Sequence, residues 1–245
     1  MLNRIIPCWV IALTLLSLSP VSADPAEVSS IAPQDLVEFE HLSEPVKQLI
    51  ENALLLTTKN LTYQFGSNSP ENHGMDCSGT VQFTLQASGV AEVPRSSHTI
   101  YLWAEEQGTL NSTRGVESID DPVFETLRPG DLLFWEGTYD TAKRNPPISH
   151  VMIYLGRLKA DGQGVTFGSS DGRHFRRKRN NGVSVFDWKM PRPGSTSKFV
   201  AFGRVPGLVS EPLADEVGDE EKERPVVGSL KSVLEKLFKK PEASP

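Results

Sequence analysis

Met75-Asp76-Cys77-Ser78-Gly79 marks the point where an irregular polar segment turns into a helix. Upstream, Leu61 to Gly74 is rich in Asn, Ser, Gly and Pro and reads as a loop. From Cys77 onward, Val81, Leu85 and Ser88 continue one helical face, and Gly89 is a suitable stop. Working outward, Ser43 can cap an earlier helix in which Val46, Leu49, Ile50, Ala53 and Leu54 recur at helical spacing. Residues 95–107 suit a further short helix, and 108–122 look irregular. The rest is strand-like. Asp131 to Trp135 follows the turn signal Arg128-Pro129-Gly130, and His150 to Leu155 follows Pro146-Pro147. Val165 to Phe167, Val183 to Phe186 and Phe199 to Phe202 complete the set. Helices followed by strands predict an α+β domain, N-terminal helices packed on a mainly antiparallel sheet of about five strands.

The ends of the chain read differently. Arg4 precedes an apolar run from Ile5 to Leu18, and Val21-Ser22-Ala23 offers small residues for cleavage. Residues 1–23 therefore read as a signal peptide for export to the periplasm or cell envelope, with an uncleaved anchor as the alternative. A lead-in without clear periodicity covers 24–42, the domain 43–206, and 207–245 an acidic linker and short amphipathic C-terminal helix. Within that helix Leu230, Val233, Leu234, Leu237 and Phe238 share a face. Residues 228–240 could contact a membrane surface or a protein groove, against the plainer reading of a frayed terminal helix.

Of 245 residues, 38% are hydrophobic and 23% charged, proportions of a globular protein with one sizeable core. The net charge of −6 gives no reason to expect nucleic-acid binding. No cluster of residues at metal-ligand spacing is present, so neither metal nor cofactor is implied. The two cysteines are more telling. Cys8 would leave with the signal, so Cys77 would remain alone in an exported protein and unable to form an internal disulfide.

A cysteine at a helix start meets unpaired backbone N–H groups and the positive end of the dipole, which favour thiolate. Thiolate is the nucleophilic form, and histidine is the natural partner to hold and return a proton. Among the five histidines, His150 opens an apolar strand, where a sheet would fix its ring. The plain alternatives are a buried inert thiol and a hydrogen-bonded strand histidine.

Asp76-Cys77-Ser78-Gly79, Arg128-Pro129-Gly130-Asp131-Leu132 and Ser149-His150-Val151-Met152-Ile153-Tyr154-Leu155-Gly156 together resemble the successive signatures of the NlpC-type family. Leu61-Thr62-Tyr63-Gln64-Phe65-Gly66 resembles the segment in which that family carries a tyrosine beside its nucleophile. The family comprises papain-like bacterial cell-wall cysteine peptidases. The resemblance implies a papain-like fold, Cys77 as nucleophile, His150 as base, and Tyr63 and Ser78 on the substrate side. It also implies peptidoglycan as partner and cleavage of stem-peptide amides, most commonly by a γ-D-glutamyl-diamino-acid endopeptidase.

One departure stands out. The family normally places a polar residue on the strand after the base, where it orients the imidazole. Here Phe167 or Gly168 occupies that position. Asp171 is chemically the best substitute, with Ser169 and Ser170 behind it. Asp171-Gly172 is equally a simple turn signal. The missing polar residue keeps open a non-catalytic wall-binding protein on a degenerate scaffold, and amidases or acyltransferases would share the same chemistry. Arg173, Arg176, Arg177, Lys178 and Arg179 form a basic cluster, either a solvated loop or a contact for anionic substrate groups.

Overall fold

A computed structural model describes residues 26–141 and 143–208, together with Ser232 and Leu234. The signal peptide read at 1–23 and most of 207–245 lie outside the described residues.

Three helices lead the chain: α1 (Glu44–Thr57), α2 (Cys77–Ala87) and α3 (Ser97–Glu106). Two short strands, β1 (Thr62–Tyr63) and β2 (Gly74–Met75), lie between α1 and α2. The strands that follow are β3 (Leu110–Ser112), β4 (Leu132–Glu136), β5 (Ile148–Arg157), β6 (Gly164–Ser170), β7 (His174–Phe175), β8 (Lys178–Arg179), β9 (Gly182–Asp187) and β10 (Lys198–Gly203). The principal sheet has six strands in the order β3-β10-β4-β5-β6-β9, every pairing antiparallel. The α+β architecture is as expected, and the sixth strand is β3, three residues inside the stretch read as irregular. It is short, lies at a sheet edge and carries Leu-Asn-Ser, so no apolar run announces it.

The central strands β4 and β5 are largely apolar on both faces because both faces are covered. On β4 and β5, Leu132, Phe134, Val151, Ile153 and Leu155 join α1 and α2 in the larger core. Leu133, Trp135, Met152 and Tyr154 point the other way, into a second cluster with Phe186, Trp188, Phe199 and Phe202. The lead-in belongs to this body as well. Leu36 is fully buried, and Ser29 accepts a hydrogen bond from Val185 N–H on β9. Ser43 stands at the N-cap of α1, yet its hydroxyl makes no capping bond. Leu234 is buried in the larger core.

The Arg128-Pro129-Gly130-Asp131 motif has a structural explanation. Asp131 is buried, accepts a hydrogen bond from Arg128 N–H at 2.8 Å and pairs with Arg204. Gly130 N–H donates to Tyr154 O, and Tyr154 N–H donates to Asp131 O. The motif thus locks the start of β4 against β5, the strand that carries His150.

Candidate active site

Cys77 is the first residue of α2, and Asp76 is the N-cap. One Asp76 oxygen accepts from Gly79 N–H at 2.7 Å and from the Ser78 hydroxyl at 3.1 Å, and the other accepts from Gly66 N–H at 2.9 Å. Arg95 grips both oxygens, at 3.0 and 2.7 Å. A capping carboxylate satisfies helix N–H groups that would otherwise lack partners, and the forked guanidinium fixes the carboxylate in turn. Gly79 allows the first turn to sit where it does: a Cβ there would lie 2.2 Å from Ser67 O.

Ser78, expected on the substrate side, is buried, and its hydroxyl donates to Asp76 and accepts from Arg95. What it directs at the sulfur is its backbone N–H. Asp76 and Arg95 were not legible as a pair. The signal for Asp76 was its position before a helix, but nothing in the sequence joins it to Arg95.

The Cys77 sulfur is approached by the backbone N–H groups of Cys77, Ser78 and Val151, which favour the thiolate. Burial outweighs them, and the Asp76 carboxylate adds to it, so the thiol is pushed up to about 11. The expectation of a resting thiolate is therefore corrected. The helix start does supply N–H donors, but at 6% exposure the loss of solvent dominates. His150 is shifted the opposite way. Burial first, and then the Arg173 guanidinium, holds its pKa well below 6.5. Both shifts favour the uncharged pair, thiol and imidazole.

His150 lies on β5 opposite Trp135 of β4, with ring centroids 5.5 Å apart. The register then shifts, because Glu136 pairs with Ile148, leaving Ser149 as the extra residue. Its hydroxyl accepts from the Thr138 N–H at 3.0 Å. Such bulges re-aim neighbouring side chains. No hydrogen bond joins the thiol and the imidazole among the described residues, and His150 Nε2 is buried without a hydrogen-bond partner. Val151, whose N–H faces the sulfur, directly follows His150 on β5.

The neighbouring strand β6 gives the orphaned nitrogen no hydrogen bond. Phe167 pairs with Ile153 and is fully buried in the larger core. Asp171 lies beyond the end of β6, exposed, and no hydrogen bond joins it to His150. Its carbonyl accepts from Arg179 at 2.8 Å. Asp171, expected to orient the imidazole, lines the same cleft as His150 but makes no hydrogen bond to it. Carried three residues further, the β5–β6 register sets Ser170 level with His150.

Tyr63 is placed by the short parallel pair β1–β2, where it stands beside Met75. Burial, with Cys77 and Asp76 nearby, raises its pKa and keeps it a phenol. A cleft of about 860 Å³ is lined by Tyr63, Trp135, His150, Ser170, Asp171 and Arg173, among others. Tyr63, His150 and Asp171 are thus brought to one opening, with Cys77 nearly covered close to Tyr63. Among the described residues, no group of three or more His, Cys, Asp or Glu side chains is arranged to hold a metal ion.

The chain is 33% identical over 94 residues to the gamma-DL-glutamyl hydrolase of Bacillus subtilis (strain 168), covering 38% of this chain and 18% of that one. It is 31% identical over 109 residues to the bifunctional muramidase/DL-endopeptidase CwlT of the same organism, covering 44% of this chain and 25% of that one. The matched segment is therefore about a quarter or less of each relative's length. A Staphylococcus aureus protein described as similar to a lipoprotein of the NLP/P60 family matches at a TM-score of 0.43 and 23% identity, over 66% of this chain and 42% of that one. The NlpC/P60 family model matches residues 60–188, more than half of the chain and the whole stretch from Tyr63 to Asp187. The chain belongs to the NlpC/P60 family.

Proposed function

We propose that this protein is an exported cysteine hydrolase that cleaves amide bonds in peptidoglycan stem peptides, acting as a γ-D-glutamyl-diamino-acid endopeptidase. The observation that carries the reading is the seat of the Cys77 sulfur, among the N–H groups of Cys77, Ser78 and Val151, the last of these the residue that follows His150 on β5. The relatives named as a gamma-DL-glutamyl hydrolase and a DL-endopeptidase support the choice of bond.

The chemistry starts from the uncharged pair. His150 takes the thiol proton as the sulfur attacks the amide carbonyl, so charge forms only when it is needed. The backbone N–H of Cys77 helps to hold the oxyanion. His150 then gives its proton to the leaving amine, and the acyl group remains as a thioester. A water deprotonated by His150 releases the acid. Tyr63 borders the substrate, and Ser78 contributes through its backbone.

The test is incubation with purified peptidoglycan, followed by assay of new amino termini and mass spectrometry of the fragments. Release of γ-D-glutamyl ends by the wild type and not by Cys77→Ala is the expected result. Equal release by both proteins would remove the nucleophile. A second reading, a non-catalytic wall-binding protein, is favoured by one observation, the unpartnered His150 Nε2. It predicts retained binding to peptidoglycan with no new termini. An amidase or acyltransferase would instead give different fragment masses with the same dependence on Cys77.

A further inference from the structure

The basic cluster after β6 is not uniform. Arg176 pairs with Asp161, Arg179 donates to the Asp171 carbonyl, and nearby Lys189 pairs with Asp187. Arg173 is different. Its guanidinium carbon lies 4.2 Å from the centroid of the Trp135 ring, and Trp135 is in turn against His150. It is half-buried in the wall of the cleft that His150 lines. Among the described residues, its side chain makes no ion pair and no hydrogen bond.

A cation withdrawn from water without a counter-charge is costly. Stacking on an indole offsets part of that cost and holds the guanidinium in one plane. A guanidinium fixed in this way presents its N–H edge as a fork that matches a carboxylate in two parallel hydrogen bonds. Resting on the reading of a stem-peptide hydrolase, the substrate supplies such a group. A γ-linked glutamyl residue keeps its α-carboxylate free beside the scissile amide, and a diamino-diacid on the other side carries a second one.

We propose that Arg173 is a specificity residue that binds a free carboxylate on a residue flanking the scissile amide, so that peptides with that carboxylate amidated are poor substrates. The ring of Trp135 sets the plane of the guanidinium, and the short path Arg173–Trp135–His150 ties recognition of the acid to the place where the amide is cut.

The test uses the full protein and a γ-D-glutamyl-diaminopimelyl peptide in three forms: both acids free, the glutamyl α-carboxylate amidated, and the distal diaminopimelyl carboxylate amidated. For the wild type, kcat/KM should fall by roughly 10- to 100-fold for one amidated peptide, which identifies the carboxylate. Arg173→Gln should lose a similar factor on the free acid and cleave acid and amide alike, while Arg173→Lys keeps part of the preference. Equal cleavage of all three peptides by the wild type would overturn the proposal. So would an equal loss by Arg173→Gln on acid and amide. Calorimetric binding of the same peptides to Cys77→Ala separates this proposal from the activity. Tighter binding of the free acid with no turnover by the wild type supports the subsite and sinks the hydrolase. Absence of any acid-over-amide preference in binding and in turnover removes the subsite.

Discussion

The Cys77 sulfur faces the backbone N–H of Val151, the residue that follows His150 on β5. A helix start thus supplies part of the sulfur's surroundings and the central sheet supplies the rest. The same strand presents the His150 imidazole and a backbone donor, so a displacement of β5 would disturb both together.

Because burial pushes the thiol up to about 11, the free protein should be slow to react with iodoacetamide at neutral pH. The alkylation rate is expected to climb along a titration well above the ordinary thiol value of about 8.5. A midpoint below pH 8 would contradict the uncharged resting pair. The same shift affects stability. A folded pKa above the unfolded one gives stability that is complete below about 8.5 and is lost as pH rises toward about 11. Cys77→Ser should lack that loss in urea melts.

The acid side belongs to His150. The imidazole must be neutral to take the thiol proton, and burial and Arg173 both lower its pKa. Activity is therefore expected to persist as pH falls through 6.5 and to disappear only further into the acid range. Arg173→Gln removes the smaller cause and should move the acid limb of kcat/KM upward, still short of 6.5, because burial remains. An unmoved limb would mean that the guanidinium does not act on the ring.

Asp171→Asn should change kcat/KM by no more than about threefold. A carboxylate that orients a catalytic imidazole costs on the order of 10⁴-fold when it is made an amide, and Asp171 makes no bond to His150. A loss of a hundredfold or more would return Asp171 to the orienting role.

The Asp76–Arg95 clamp should be a stability feature. Arg95 is about a third exposed, so solvent screens the pair, and Arg95→Met is expected to cost roughly 1–2 kcal/mol in urea melts. Asp76→Ala removes the N-cap as well as the counter-charge and should cost about 2–4 kcal/mol, with faster alkylation of Cys77 as the first turn of α2 loosens. Gly79→Ala, whose Cβ would lie 2.2 Å from a backbone oxygen, should be at least as damaging. A stable, unaltered Gly79→Ala would contradict the close approach of α2 to Ser67.

What could be read in advance follows from range. The helices at Glu44–Thr57 and Cys77–Ala87 carry their own periodicity, and β4, β5, β6, β9 and β10 are apolar runs between turn residues, so local pattern sufficed. Cys77 stood out because a helix start is a local feature too, and His150 because it leads an apolar run, although β5 begins two residues earlier, at Ile148. The rest depends on contacts between distant positions. Arg95 finds Asp76 across 19 residues, and Arg173 leaves a basic loop to lie on Trp135. The choice of Asp171 as third residue met a similar limit: strand register, not chemical suitability, decides which side chain faces the imidazole.

Leu234, with 1% of its surface accessible, belongs to the same core as α1 and the inner face of the sheet. A chain cut after Gly207 would keep every signature that defines the family and still lack that leucine. The socket left behind should cost on the order of 2–5 kcal/mol, a large share of a typical domain's stability. Protein prepared to the limits of its motifs would then melt early, while any activity per folded molecule stayed the same.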